Sequence, residues 1–301
     1  MTKKNIAIYL VGVGILLIIV AAWYMFAFLK PAQPKSFDSQ RALADVKAQV
    51  AFGPRIPGTS GHAQIVEWMR AELSAAGWDS RMQSTELLGH PIQNVIAYRG
   101  GDTPPKIIIG AHYDTRMVAD QDPDPAKQLD PVPGANDGAS GVAVLLGLAR
   151  ALPKDSIPVW LVFFDTEDDG DIPGWDWLLG SKAFVDGLGF HPEAAIIVDM
   201  IGDADQNIYI ERNSNPALVK EIWGVAADLG YKDSFISTPK YSMIDDHTPF
   251  LEAGIPAVDI IDFDYPYWHT TQDTADKVSA ESLGTVGNTL LEWIARRSQT
   301  P

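Results

Sequence analysis

The sequence predicts a single three-layer α/β domain with a mainly parallel, mixed central sheet flanked by helices, preceded by an N-terminal transmembrane helix. Three observations lead to this fold class. Uniformly apolar runs, such as residues 107–111 and 159–164, alternate with segments of helical spacing, which is typical of a sheet covered on both faces. Hydrophobic residues make up 46% of the 301 residues, enough for one large core. Residues 6–29 carry no charge.

The uncharged segment predicts a membrane anchor. Its 24 residues, at about 1.5 Å each in a helix, would cross a hydrocarbon layer of roughly 30 Å. A cleaved signal sequence is the alternative, but its apolar core usually spans only ~7–15 residues. We therefore expect an anchor (or signal sequence) over residues 1–30 and a linker over residues 31–37. Lys3 and Lys4 favour a cytoplasmic N-terminus with the domain outside the cytoplasm, or exported after cleavage.

The remaining residues, 38–301, are predicted to form one domain without internal repeats. Its helices are expected over residues 42–52, 63–76, 140–152, 178–188, 216–229 and 279–296. Its strands are expected over residues 95–98, 107–111, 159–164, 194–198, 207–210 and 257–261. Strands that alternate with helices imply a largely parallel sheet wrapped by helices.

Composition excludes several classes of function. The chain has no cysteine, so disulfides, a thiol nucleophile and cysteine-ligated metals are excluded. With 23 Lys plus Arg against 39 Asp plus Glu, the net charge is -16. That balance argues against nucleic acid as a partner, because such binding needs basic side chains to neutralise phosphates. The sequence has neither the GxSxG motif of serine hydrolases nor the HExxH motif of helix-borne metalloproteases.

Ionisable residues follow four of the predicted strands. They are His112 and Asp114, then Asp165, Glu167 and Asp168, then Asp199, and finally Asp262, Asp264 and His269. Asp137 lies between the first two of these strands, just before a predicted helix. Singly these residues have ordinary explanations, such as a helix cap for Asp137 or a core histidine for His112. Together they lie on one rim of the sheet, where clustered carboxylates repel one another unless a cation neutralises them.

The residue types at these strand ends favour zinc as that cation. Imidazole and carboxylate ligands without sulfur suit zinc, with cobalt or manganese as alternatives. Calcium is disfavoured because histidine is not its ligand. Of only six histidines, His112, His247 and His269 fall in these acidic and aromatic segments.

Seven short motifs resemble the zinc aminopeptidase and glutaminyl cyclase family (metallopeptidase family 28). They are GAHYD (110–114), PGANDGASG (133–141), FFDTED (163–168), LLGS (178–181), DMIG (199–202), DDHTPF (245–250) and YWHT (267–270). The resemblance runs from about residue 54 to the C-terminus in the family's order and spacing. It implies a single α/β domain with a mixed, mainly parallel sheet.

The family has two branches that use nearly the same ligands. In the cyclase branch, the resemblance implies one zinc ion on Asp137, Asp168 and His269. In both branches the carboxylate matching Glu167 is the general base and acid. In the aminopeptidase branch, the resemblance implies a second ion on His112, Asp199 and the bridging Asp137.

Three features resemble the cyclase branch more closely. The pair Asp245–Asp246 matches a cyclase pattern in which the first aspartate joins a hydrogen-bond network with Asp199. Trp268 matches a pocket tryptophan, and the acidic run after Glu167 leads into a tryptophan-bearing insert. The resemblance therefore implies Glu167, Asp199 and Asp245 as catalytic residues. It implies Trp268, Trp177, Trp175 and His247 as substrate-binding residues, with core packing as the alternative for Trp175 and Trp177.

The expected function is that of a zinc-dependent glutaminyl-peptide cyclotransferase, which converts N-terminal glutamine to pyroglutamate and releases ammonia. Its partner would be a peptide with a free N-terminus. A zinc aminopeptidase with two ions is the alternative within the family, and a non-catalytic ectodomain is the alternative outside enzymes. The oligomeric state stays open.

Overall fold

The computed structural model describes residues 36–101 and 103–299. The predicted anchor, residues 1–30, and the linker up to residue 35 lie outside the described residues. In the part that is described, no helix combines the length and the apolar character needed to span a membrane. The described residues from Ser36 onward belong to one compact unit.

A six-stranded mixed sheet forms the centre of this unit. The described residues form eight strands, six of them in this sheet: β1 (Asp79–Leu87), β2 (His90–Tyr98), β3 (Ile107–His112), β4 (Val159–Phe164), β5 (Ala194–Asp199), β6 (Ile208–Ile210), β7 (Phe235–Pro239) and β8 (Ala257–Ile261). The central order is β1-β2-β4-β3-β5-β8. The pairings β3–β4, β3–β5 and β5–β8 are parallel, whereas β1–β2 and β2–β4 are antiparallel. The predicted mixed, mainly parallel sheet is confirmed.

Helices cover both faces of this sheet. They are α1 (Ser39–Ala51), α2 (Ser60–Ala75), α3 (Ala139–Ala151), α4 (Leu179–Asp186), α5 (Pro216–Asp228), α6 (Thr248–Glu252) and α7 (Ala280–Gln299). Alternate residues of each strand point to opposite faces, so Ile107 and Ile109 join the core under α1, α2, α3, α5 and α7. Ile108 joins the opposite core with Phe184 of α4 and Phe250 of α6. The three-layer arrangement follows.

Helix α3 packs closely against the middle of the sheet. Nearly all of its residues are buried, as expected of a helix that is apolar on every side. A Cβ atom at Gly141 would lie 2.5 Å from the carbonyl oxygen of Val198, so only glycine permits this approach. The close packing places the start of α3 beside the ends of β3 and β5.

The sequence-based predictions missed three elements. Strand β1 has no apolar run and no fully buried residue, yet it pairs with β2 along its whole length. The predicted strand at residues 207–210 corresponds to β6, which pairs with β7 in a separate two-stranded parallel sheet. The missed β7 and α6 are each five residues long, too short for a periodic pattern. The strand predicted over residues 95–98 is confirmed, but β2 begins five residues earlier, at His90. The other predicted helices and strands are confirmed within a few residues.

The four strands that end in ionisable residues are neighbours, in the order β4-β3-β5-β8. Three non-glycine residues in the segments that follow strands of this group have left-handed backbones: Thr166 (φ 53°), Met200 (φ 46°) and, farther from its strand, His269 (φ 53°). Such conformations cost free energy and persist where surrounding contacts hold them, commonly at functional sites. The sharp turns bring the side chains that follow the strands together over the rim of the sheet.

Candidate metal centre

Two groups of possible ion ligands meet at the carboxyl ends of these strands. One consists of His112, Asp137 and Asp199, the other of Asp137, Asp168 and His269, and every member is buried. In each group the ligand atoms lie within 4.8 Å of one another. Asp137 belongs to both groups, and each of its two carboxylate oxygens lies near one of the two histidines.

The distances show how Asp137 joins the two groups. His112 Nε2 lies 3.1 Å from Asp137 Oδ1 and 3.1 Å from Asp199 Oδ1. His269 Nε2 lies 3.8 Å from Asp137 Oδ2 and 2.9 Å from Asp168 Oδ1. The five residues predicted as ligands of one or two ions therefore do come together, although they are scattered over more than 150 positions of the sequence.

The loop before α3 is held in place from both ends. Asp273 accepts hydrogen bonds from the backbone N–H groups of Asn136 (2.8 Å) and Asp137 (3.1 Å). The fully buried Arg55 donates to the carbonyl oxygens of Gly134 (2.6 Å) and Tyr113 (2.9 Å). Arg55 thus ties the loop that carries Asp137 to the turn after His112. The turn-rich segment around Arg55 was visible in the sequence, but its contact with the centre was not.

Each of these two histidines has a carboxylate near its second ring nitrogen. His112 Nδ1 lies 3.4 Å from Asp114 Oδ1, and Asp114 also accepts the backbone N–H groups of Glu167 (3.1 Å) and Asp168 (3.2 Å). His269 Nδ1 lies 3.5 Å from Asp120 Oδ1. Such partners orient a metal-binding imidazole and strengthen its basicity. Sequence reasoning missed both roles, although Asp114 is part of the GAHYD motif.

Electrostatics favours a cation in this centre. Burial, together with the charge of Asp168, raises the pKa of Glu167 well above its usual range. Burial and the neighbouring carboxylates Asp137 and Asp245 raise the pKa of Asp199 to about 7, despite His112. Burial opposes protonation of His269, but Asp168, Asp120 and Asp137 raise its pKa to about 9. Positive charge therefore stabilises this cluster of carboxylates. A divalent cation would supply that charge and keep the carboxylates ionised.

A buried carboxylate oxygen of Asp168 also favours a bound cation. Asp168 Oδ2 is buried and has no hydrogen-bond partner among the described residues. A buried carboxylate oxygen without a partner is costly, and coordination of a cation would remove that cost. The donor set of imidazole nitrogen and carboxylate oxygen without sulfur suits zinc.

A small cleft opens beside the second group. Its volume of about 170 Å³ is below the roughly 300–1,000 Å³ of sites for drug-sized ligands, so it suits a single side chain. Glu167, Asp199 and Asp245, the predicted catalytic residues, all line it. The other lining residues are Asp137, Asp168, His269, Trp177, Trp268, Met200, Met243, Ile244, Ile261 and Phe263.

Two of the four predicted substrate-binding residues reach this cleft. Trp268 stacks on the ring of His269 at 3.8 Å between centroids, and Trp177 lies parallel to it at 6.1 Å. Trp175 points elsewhere, because it stacks on His90 of β2 at 3.6 Å. Two tryptophans that are close in sequence therefore occupy different environments.

His247 does not line the cleft, contrary to the sequence-based prediction that it binds substrate. Its side chain is fully buried, with Nε2 3.3 Å from Glu211 Oε2 and Nδ1 3.7 Å from Asp259 Oδ2. It immediately precedes α6, which turns it into the interior. Asp245, which lines the cleft, forms a further buried group of ionisable residues with His247 and Asp259.

Comparisons with known proteins show the family to which the chain belongs. The model of the family described as Peptidase family M28 matches residues 94–294. Among solved structures, the chain is similar to a glutaminyl cyclase of Porphyromonas gingivalis, with 35% identity, a TM-score of 0.82 and coverage of 87% of this chain and 99% of that chain. It is similar to a Zn-dependent exopeptidase from Parabacteroides distasonis, with 32% identity, a TM-score of 0.83 and the same coverage.

A curated protein of Bos taurus extends this similarity. The glutaminyl-peptide cyclotransferase-like protein is 24% identical over 282 residues, covering 80% of this chain and 71% of that protein. Both branches of the family suggested by the seven motifs are therefore represented among similar proteins. The family resemblance is confirmed.

Proposed function

The chain belongs to peptidase family M28, and we propose that it is a zinc-dependent glutaminyl-peptide cyclotransferase. The reaction would convert the N-terminal glutamine of a peptide to pyroglutamate with release of ammonia. The proposal rests mainly on the cleft. Glu167 and His269 line this small volume together with the rings of Trp177 and Trp268. The 35% identity with the glutaminyl cyclase of Porphyromonas gingivalis supports it.

Asp137, Asp168 and His269 would hold the zinc ion of this reaction. When bound there, zinc would polarise the γ-amide carbonyl of the glutamine side chain. These residues border the cleft, whereas His112 is not among its lining residues. The ion on the His269 side is thus the one that a substrate could approach.

Glu167 would move the proton of the reaction. The substrate's own α-amine attacks its γ-carbonyl carbon, so a C–N bond forms within one molecule, and orientation of the reacting groups supplies much of the rate. Glu167 accepts a proton from that amine. It then donates the proton to the γ-amide nitrogen as the old C–N bond breaks and ammonia leaves. The elevated pKa of the buried Glu167 suits a group that must both accept and release a proton.

The remaining cleft residues would orient the substrate. Trp177, Trp268 and Phe263 form an apolar wall that holds the aliphatic part of glutamine and excludes water, which would otherwise offer hydrolysis. Asp199 and Asp245 lie at the cleft, where they can accept hydrogen bonds from the α-amine.

A pair of peptides tests the proposal directly. The full-length chain, purified in detergent and loaded with zinc, is incubated with two peptides that differ only in N-terminal glutamine or leucine. We expect the glutamine peptide to lose the mass of one ammonia and the leucine peptide to stay intact. Release of free leucine would contradict the proposal and indicate an aminopeptidase.

An aminopeptidase remains the second candidate because the other ligand group is complete. His112, Asp137 and Asp199 are assembled and buried, and a Zn-dependent exopeptidase is 32% identical to the chain. In that reaction a second ion would help to activate a water molecule and bind the free amine. Metal analysis of the purified protein distinguishes the two, with one zinc per chain for the cyclase and two for the aminopeptidase. A non-catalytic ectodomain is disfavoured because the ligand groups and Glu167 are all in place.

For the segment before the domain, we propose an uncleaved membrane anchor over residues 1–30, with the catalytic domain outside the cytoplasm. The uncharged run of residues 6–29 and the preceding Lys3 and Lys4 support this proposal. The chain should sediment with membranes after high-salt washing, and protease added outside intact cells should remove the domain. Recovery of a shortened, soluble chain would favour a signal sequence.

A further inference from the structure

Arg116 lies at the junction of three parts of the centre. Its side chain is only 2% exposed. Nε and Nη2 donate to the two carboxylate oxygens of Asp120, at 2.9 and 2.8 Å. Nη1 donates to the backbone carbonyl oxygen of Asp168 at 2.8 Å and to that of Gly170 at 3.1 Å. The guanidinium carbon lies 5.0 Å from the centre of the Trp177 ring, within the range of a cation–π contact.

The loop that follows Arg116 holds the segment that contains His269. Asp120 lies at the second ring nitrogen of His269 (3.5 Å), and the next residue, Gln121, donates its backbone N–H to the His269 carbonyl oxygen (3.2 Å). Asp122 accepts the backbone N–H of Thr271 at 2.9 Å. His269 itself has a left-handed backbone, with φ 53°. A strained residue of this kind keeps its position only when its surroundings hold it, and this loop supplies the contacts.

We propose that Arg116 is a positioning residue that fixes two features of the site at once. Through Asp120 it orients His269 as an ion ligand, and through its planar face it supports Trp177, a wall of the substrate cleft. Its planar fork suits both tasks, because guanidinium binds a carboxylate with two parallel hydrogen bonds and also stacks on aromatic rings. Lysine could not do both.

The contacts of Arg116 with Asp120 and with Trp177 can be separated by mutation. If Arg116 serves His269 and Trp177 together, its loss should weaken zinc binding and substrate binding in the same protein. Loss of Asp120 should weaken zinc binding alone, and loss of Trp177 should weaken substrate binding alone. The expected loss of substrate binding rests on the proposed function, whereas the expected loss of zinc affinity does not.

The experiment compares Arg116→Met, Asp120→Ala, Asp120→Asn and Trp177→Leu in the full-length chain. Zinc affinity is measured by competition with a chromophoric chelator, and KM and kcat are measured with an N-terminal glutamine peptide at saturating zinc. Asp120→Ala should lower zinc affinity about 10–100-fold, the usual effect of removing a ligand's outer partner. Asp120→Asn keeps an acceptor and should recover part of the loss. Arg116→Met should show both the zinc defect and a raised KM.

Arg150→Met is the matched control. Arg150 also binds two carboxylates, Asp45 at 2.6 Å and Glu72 at 2.9 Å, but at the far end of α3. The Arg150→Met variant should have a lower melting temperature but unchanged zinc affinity and KM. Wild-type zinc affinity in both Arg116→Met and Asp120→Ala would overturn the proposal. If Arg116→Met does not fold, Arg116→Lys replaces it and should show the same two defects in weaker form, whereas wild-type values would overturn the proposal.

Failure of the proposed function would be seen separately. In that case the wild-type protein would not cyclise the glutamine peptide, while the zinc affinities of the variants would still rank as described and decide the role of Arg116.

Discussion

The two ligand groups of the centre use the same kinds of residue but differ in their surroundings. Each has one histidine and two aspartates, and they share Asp137. Behind His112 stands Asp114, which is fully buried and also accepts backbone N–H groups. Behind His269 stands Asp120, whose side chain is 38% exposed and belongs to a surface loop. One group is therefore built into the rim of the sheet, and the other is assembled by a loop.

The groups differ as well in what they face. Trp268 and Trp177 both stack on His269 at the cleft, whereas His112 is not among the residues that line it. Identical ligand types therefore do not imply equivalent sites. The aromatic wall, rather than the set of possible ligands, therefore distinguishes the half of the centre that borders the cleft.

Replacing His112 and His269 separately should give the largest difference in zinc content and activity. We expect His269→Ala to lose its bound zinc, and with it all turnover, because it removes one of three ligands at the cleft. His112→Ala should retain one zinc per chain and measurable cyclase activity. Metal analysis by mass spectrometry, with activity on a glutamine peptide, checks both. If His112→Ala lost its zinc as completely as His269→Ala, the proposed difference between the groups would be wrong.

Glu167→Gln tests whether the cleft-facing half performs the chemistry. The variant keeps the shape of the side chain but cannot accept a proton, so kcat should fall by about 10²–10⁴-fold, the usual contribution of a general base. Zinc content should stay at the wild-type value, since Glu167 is not among the ligands in either group. A near-normal kcat would contradict the role assigned to Glu167.

The neighbouring tryptophans offer a matched pair of variants. Trp177→Leu should raise KM for the glutamine peptide up to about tenfold, because an aromatic contact is worth roughly 0.5–1.5 kcal/mol. Trp175→Leu should leave KM unchanged, since Trp175 stacks on His90 away from the cleft. Steady-state kinetics at saturating zinc measures both. Equal effects would mean that the cleft extends over Trp175.

A further effect, on stability rather than on activity, concerns the support of the loop that carries Glu167 and Asp168. His62 Nε2 lies 2.7 Å from Asp165 Oδ1. Burial opposes protonation of His62, but this hydrogen bond and the charge of Asp165 raise its pKa above 6.5. The charged pair therefore stabilises the fold fully below pH 6.5, and this contribution is lost as the pH rises through the raised pKa.

His62→Gln should consequently lower the free energy of unfolding by about 1.5–3 kcal/mol near pH 6, and by less near pH 9. Urea denaturation at the two pH values measures the difference. His191→Gln, at an exposed position, is the control and should change stability little at either pH. A loss that grew toward pH 9 would contradict the assignment.

Much of the fold could be read from the sequence because its signals are local. Apolar runs and helical spacing determine where most strands and helices lie, and the rule that ligands gather at the carboxyl ends of parallel strands brought His112, Asp168, Asp199 and His269 to one rim. Strand β1 escaped detection because its residues carry no apolar pattern. It forms because β2 offers it a complete set of hydrogen-bond partners.

Local sequence patterns are enough to locate most elements and the possible ion ligands at their ends, whereas the packing of the whole domain selects the neighbours of those residues. Trp175 and Trp177 look alike in the sequence, yet the path of one loop sends them to different partners. His247 lies in a motif near the site, yet it turns into the core. Arg116 and Asp120 reach His269 across about 150 positions. Spacing along a chain reports contacts within an element, whereas contacts between loops depend on how all the elements pack.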